Sequence, residues 1–122
     1  MQDIVTHQRR HDVAFHASGR IDINRSTAEA LQLRKDDVIS VARDNGEYVL
    51  YVKARAGTYQ GRYQGRCYPT NSQSHNFRAY SVDIAKAVIK ACGRHDAVRL
   101  YTGQQVETEN GAGICLITRN PQ

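Results

Sequence analysis

The chain has 122 residues, 40% of them hydrophobic, with seven Tyr, two Pro and no Trp; this suits one folded domain that buries a core without metal or disulfide staples, and it excludes a disordered class. Seventeen Lys and Arg against twelve Asp and Glu give +5 at pH 7, unevenly spread, since residues 1–58 carry nine basic and eight acidic side chains and residues 59–122 carry eight and four. No run is apolar enough for a signal peptide or a membrane span, and Cys67, Cys92 and Cys115 form no C-x-x-C pair, so a reducing, cytoplasmic setting with no membrane partner is expected.

His7, Arg9, Arg10 and His11 form a basic cluster before the first periodic segment, either an arm that reaches a groove or a polar terminus. Val13, Phe15 and Ala17 alternate with polar or small residues, and so do Ile21 and Ile23 within Arg20 to Asn24. This predicts two short strands joined near Ala17 to Gly19. Ser26-Thr27-Ala28-Glu29 has capping-box spacing and opens a short helix that ends near Leu33. Val38 to Arg43 and Glu47 to Val52 read as strands joined at Asn45-Gly46, a pair suited to a type I′ turn because both positions accept φ > 0.

The doubled Tyr-Gln-Gly-Arg of residues 59–66 is expected to form a strand with Gln60, Arg62, Gln64 and Arg66 on one face. Beyond it, Asp83 caps a helix whose buried stripe is Ile84, Ala87, Val88, Ala91 and Cys92, stopped by Gly93. Strands over Ala97 to Tyr101 and Ile114 to Arg119, flanking a polar Gly103 to Gly113 loop, complete the pattern.

These elements repeat. A shift of 59 residues places Ile21 on Tyr80, Ile23 on Val82, Ala28 on Ala87, Leu33 on Cys92, Asp37 on Asp96 and Ile39 on Val98. A shift of 65 then places Val49 on Ile114 and Leu50 on Cys115, so six extra residues fall in the Gly103 to Asn110 loop. The expected organisation is one domain of two diverged repeats, residues 1–58 and 59–122, interleaved about a pseudo-two-fold axis. The expected fold class is mostly β with short helices closed into a small β-barrel, which leaves few strand edges exposed.

Gly19-Arg20-Ile21-x-Ile23, followed by Leu31-x-Leu33-x-x-x-Asp37-x-Ile39-x-Val41, resembles the swapped-hairpin domain of AbrB, SpoVT and MazE-type proteins. The resemblance covers about residues 12–53, and more faintly the second copy. It implies an AbrB-like or double-psi-like barrel, here a single-chain equivalent of the family's dimer. It also implies a bacterial or archaeal regulator or antitoxin that binds DNA through basic residues on strands and short helices. Asn24, Gln32 and Asp36 stand where the family pattern has proline, glycine and glycine. The family's basic contact positions fall on Val13, Ala14, Ala28 and Glu29, and only Arg20 keeps its charge.

The residues expected to contact nucleic acid are Arg9, Arg10, Arg20, Arg62, Arg66 and Arg78. Guanidinium groups suit phosphates and base edges, and Tyr63 and Tyr68 offer stacking platforms. Arg20 alternatively pairs with Asp22, and Arg62 and Arg66 alternatively belong to a solvated sheet face. His16 and His75, related by the 59-residue shift, have no third ligand at metal-site spacing. Cys92 and Cys115 are expected to be small core residues, and Asp37 and Asp96 to fix turns. No motif of an enzyme is present, so no catalytic residue, metal or cofactor is expected. The expected partner is duplex DNA, bound by the chain alone or as a homodimer. A barrel that recognises a protein partner through its strand edges or second-copy loop is the alternative.

Overall fold

The computed structural model describes residues 12–55, 61–71, 73, 75–109, 111–119 and 121; Arg9, Arg10 and the start of the doubled tetrapeptide lie outside them. In chain order the elements are β1 (Asp12–His16), β2 (Arg20–Ile23), α1 (Arg25–Leu31), β3 (Val38–Asp44), β4 (Glu47–Ala54), β5 (Gly65–Arg66), β6 (Tyr68–Pro69), β7 (Phe77–Tyr80), α2 (Val82–Ala91), β8 (Ala97–Thr108) and β9 (Gly111–Leu116).

The strands form one antiparallel sheet in the order β5-β3-β4-β9-β8-β1-β2-β7-β6. Its two outermost strands, β5 and β6, are separated in sequence by Cys67 alone, so a single segment pairs with both ends and the sheet curls into a nearly closed barrel. Cys67 itself bridges the gap, its N–H donating to Asp37 O at 2.7 Å while its carbonyl accepts from Asp36 N at 2.7 Å. The order reads nearly the same from either end. β4 lies against β9 at the centre, and β1 pairs with both β2 and β8 as the 65–69 segment pairs with both β7 and β3. Each copy's first strand thus packs on the other copy's hairpin, which is the expected interleaving.

Alternation decides which side chains fill the barrel. Val13, Phe15, Ile21, Ile23, Leu50, Ile114, Val98 and Leu100 point inward and form the core with Ile39, Leu31, Ile84 and Val88. The register of the repeat is therefore visible as burial, and it corrects the gapless comparison. Ile21 and Ile23 are buried, but Tyr80 and Val82 are exposed; Ala28 is buried and Ala87 exposed. A shift of 59 residues matches burial between β3 and β8, where Ile39 and Val98 are both buried, but not between β2 and β7, because a register error of one residue turns every side chain of a strand to the other face. The inward partners of β2 are Phe77 and Ala79, and the caps Asn24 and Ser81 equate the helices at a shift of 57. The 65-residue shift fails for the same reason. Leu50 pairs with Ile114 inside, whereas Val49 pairs with Cys115 outside the core. Cys115 is therefore not a core residue; Cys92 packs at the core's margin.

Other expectations need correction. Asn24, not Ser26, caps α1 by accepting from Thr27 N at 3.0 Å. Ser81, not Asp83, caps α2 by accepting from Ile84 N at 3.2 Å. Residues 61–64 form a turn and not a strand. The Gly103 to Gly113 segment is no loop, since β8 runs on to Thr108 past a bulge between Thr102 and Gln105. His75 sits in the long β6–β7 connection, while His16 ends β1 before a three-residue turn, so the two histidines are not equivalent. The Asn45-Gly46 turn has φ of 51° and 82°, as its sequence requires. Gly19 (φ +103°) is obligatory twice over, because a Cβ there would meet Val82 Cγ2 at 2.9 Å. Among the described residues no helix is long and apolar enough to cross a membrane.

Candidate nucleic-acid interface

The outward residues of β8, β1, β2, β7 and β6 make one continuous row. Arg99 stands opposite Ala14, Ala14 opposite Asp22, Asp22 opposite Arg78, and Arg78 opposite Tyr68. Four strand spacings separate Arg99 from Tyr68, about 19 Å. The neighbouring row brings His16 opposite Ala97 and Arg20 opposite Tyr80. Arg66 is exposed on the same side as Tyr68, flanking the buried Cys67. Pairing registers thus bring Arg20 and Arg78 to one face, while Arg66 pairs with Val38 of β3.

Asp22 is the hub of that face. Its Oδ1 accepts from Arg78 Nε at 2.7 Å, and this bond raises the pKa of the Arg78 guanidinium. Its Oδ2 lies 3.1 Å from Arg20 Nε, an ion contact without an aligned hydrogen bond, and 3.4 Å from His16 Nε2. Arg20 Nη2 is 3.2 Å from His16 Nε2. The pairing of Arg20 with Asp22 considered from sequence is therefore present, and one carboxylate partly neutralises two arginines. Beside this hub, Tyr68 and Tyr80 are exposed. The Tyr68 phenol is pushed up first by desolvation, then by its contact with Tyr80.

Arg62 is not part of the face. Its Nε and Nη2 fork onto Asp83 Oδ2 and Oδ1 at 3.3 Å, and its carbonyl accepts from Ser81 Oγ at 3.0 Å, which ties it to the first turn of α2. The hydrogen bond to Asp83 raises the Arg62 pKa.

Three cations and a histidine absent from the sequence-based set lie next to the arginine rows. Lys86, Lys90, Arg94 and His95 surround an open depression of about 430 Å³ floored by Ala17 and Ile89. It adjoins the sheet face through the Ala17 N to Asp96 O bond of 2.8 Å and the pairing of His16 with Ala97, beside Arg99. Lys86, Lys90 and Arg99 form no ion pair among the described residues, while Arg94 Nη2 donates to Pro121 O at 3.1 Å. A signal for this edge was available in the sequence: Lys86 and Lys90 are like charges at i,i+4, a spacing that destabilises an isolated helix, opposite the buried face of Ile84, Ala85, Val88 and Ile89. No group of three or more potential metal-ligating side chains occurs among the described residues.

Compared with known protein families, curated proteins and solved structures, the chain matches none.

Proposed function

We propose that the chain binds duplex DNA on the surface that joins the α2 edge to the β8-β1-β2-β7 face. The observation that carries this reading is a connected set of cations, Lys86, Lys90, Arg94 and Arg99, that have no carboxylate partner among the described residues. Cations held at fixed spacing gain most from phosphates, because each contact releases condensed counterions. Arg20 and Arg78, already positioned by Asp22, lie where they extend the footprint, and exposed Tyr68 and Tyr80 add aromatic surface beside them. The AbrB-type resemblance of residues 12–53 supports the same reading, although the positions charged here differ from that family's. In this reading the protein works by binding and carries out no chemistry.

The test is a binding titration with a mixed-sequence duplex across a salt series. Four phosphate contacts give a slope of log K against log salt of about −3 to −4. Lys86→Ala/Lys90→Ala lowers that magnitude by about 2, and Arg62→Ala leaves it unchanged. A flat salt response of the wild type, or an Arg62→Ala loss equal to that of the lysine pair, would overturn the proposal.

A further inference from the structure

The carboxylates are as unevenly placed as the cations. On the outer face of the β3-β4 and β8-β9 hairpins lies a groove of about 490 Å³. Ala42, Val49, Val106 and Cys115 form its apolar floor. Gly113 keeps the floor concave, because a Cβ there would come within 3.0 Å of both Val49 Cγ1 and Thr108 Cγ2. Asp44, Glu47, Glu107 and Glu109 make its rim. None of the four has an ion pair among the described residues. Among the described residues, Glu47 accepts only a long bond from Cys115 Sγ at 3.6 Å, and Arg43, the one cation lining the groove, lies over the Tyr48 ring at 5.8 Å. The groove therefore carries four carboxylates and one guanidinium, a net −3, while the other described residues carry fourteen cations and seven carboxylates, a net +7.

The two unneutralised regions lie towards opposite ends of one strand. Arg99 is near the start of β8 and Glu107 near its end, about 26 Å apart at ordinary strand rise. That is roughly three Debye lengths at physiological salt, too far for either charge to neutralise the other within one chain. A second copy removes the restriction. We propose that the groove is a docking site for the Lys86–Lys90–Arg94 edge of α2 from a second copy of this chain. Lysine stems suit the apolar floor and their ammonium heads suit the carboxylate rim, so one side chain satisfies both parts of the groove. A two-fold arrangement forms the contact twice, since each copy supplies one groove and one helix edge, and it closes as a dimer.

The experiment is sedimentation of nuclease-treated full-length protein, so its outcome is independent of the DNA reading. Wild type is expected to show a concentration-dependent rise in mass at about 50 mM salt that is lost by about 500 mM. Glu107→Lys/Glu109→Lys and Lys86→Glu/Lys90→Glu should each stay monomeric alone while keeping the wild-type circular dichroism. Mixed one to one they should associate, because each then offers the charge the other lacks in both contacts. A wild type that is monomeric at every salt concentration overturns the proposal. So does an association that persists at high salt, or a reversed pair that stays apart although both variants are folded.

Discussion

Asp22→Asn separates a nucleic-acid face from a merely charged one. The substitution keeps the side-chain volume and one acceptor oxygen for Arg78 Nε, now 2.7 Å from Oδ1, but removes the negative charge shared by Arg78, Arg20 and His16. The formal charge of the Arg20, Asp22, Arg78 group rises from +1 to +2. The carboxylate is 30% exposed and its arginines 34% and 41%, so these are partly solvated pairs, and their loss should cost no more than about 1–2 kcal/mol of stability. For DNA the sign is opposite. One guanidinium released to a phosphate adds about −0.9 to the salt slope. On that slope the added contact is worth on the order of tenfold in affinity near 50 mM salt and less than about twofold near 500 mM. Fluorescence anisotropy on a labelled duplex at both salt concentrations reads the difference, and a thermal melt verifies folding. Unchanged or weaker binding by a folded Asp22→Asn protein would refute the placement of phosphate on this face.

Two further expectations concern the segment that closes the barrel. Asp37 is buried, with 1% of its side chain exposed, and accepts from Arg34 N at 2.8 Å and Arg55 Nη1 at 2.7 Å, while Arg55 also donates to the carbonyls of Gln32 and Leu31 at the end of α1. Arg55→Met should cost about 2–3 kcal/mol in urea denaturation, below the usual range for breaking a buried pair because Arg55 is 44% exposed. Asp37→Asn should cost clearly less in that background than in wild type, and strictly additive losses would show that the pair does not act as one unit. The Cys67 thiol is pushed up to about 12, first by burial and then by the nearby Asp37 charge. A folded-state pKa above the unfolded one makes the native state hold the proton more tightly. The contribution is therefore complete below pH 9 and is lost as pH rises from 9 towards 12, by at most about 1.4 kcal/mol per pH unit. Cys67→Ala should flatten the decline of the urea midpoint between pH 9 and 10.5 relative to wild type; parallel declines would show that the thiol does not contribute.

What the sequence made legible was local. Alternation placed β1 and β2, Asn45-Gly46 placed a turn, and Gly93 placed the end of α2, because each depends on nearest neighbours. The duplication was legible as a pattern but not in register. Residue class alone matched Ile21 to Tyr80 and Leu50 to Cys115, and only strand pairing shows that each match joins an inward position to an outward one. Barrel closure was illegible for another reason. It depends on a two-residue strand on either side of Cys67 and on backbone bonds to Asp36 and Asp37, and such short pairings leave no periodicity. Of the expected site, Arg20 and Arg78 do share a face, but whether an arginine is left without a carboxylate is a tertiary property. Asp83 holds Arg62, while Arg99 has no such partner among the described residues, and nothing local to either residue distinguishes them.

The corrected register also bears on how the chain would meet a two-fold symmetric duplex. With the caps Asn24 and Ser81 equated, Lys86 corresponds to Glu29, which pairs with Arg25 at 3.0 Å. Lys90 lies in the extra turn by which the ten-residue α2 exceeds the seven-residue α1, and α1 has already stopped at Gln32 in the left-handed region. Among the described residues the first copy's helix therefore has no counterpart of the cationic edge. Pseudo-symmetry of the barrel does not produce two equivalent binding edges within one chain. A duplex footprint on a single chain would be one-sided, and a palindromic site would need two chains. Two chains could present their α2 edges to DNA only while those edges are not lodged in each other's grooves. If both proposals hold, self-association and DNA binding compete for Lys86 and Lys90, and the apparent affinity of wild type for DNA, referred to total protein at fixed low salt, should fall as the protein concentration is raised. Glu107→Lys/Glu109→Lys, which removes the groove's charge and leaves the α2 edge intact, should abolish that dependence on concentration.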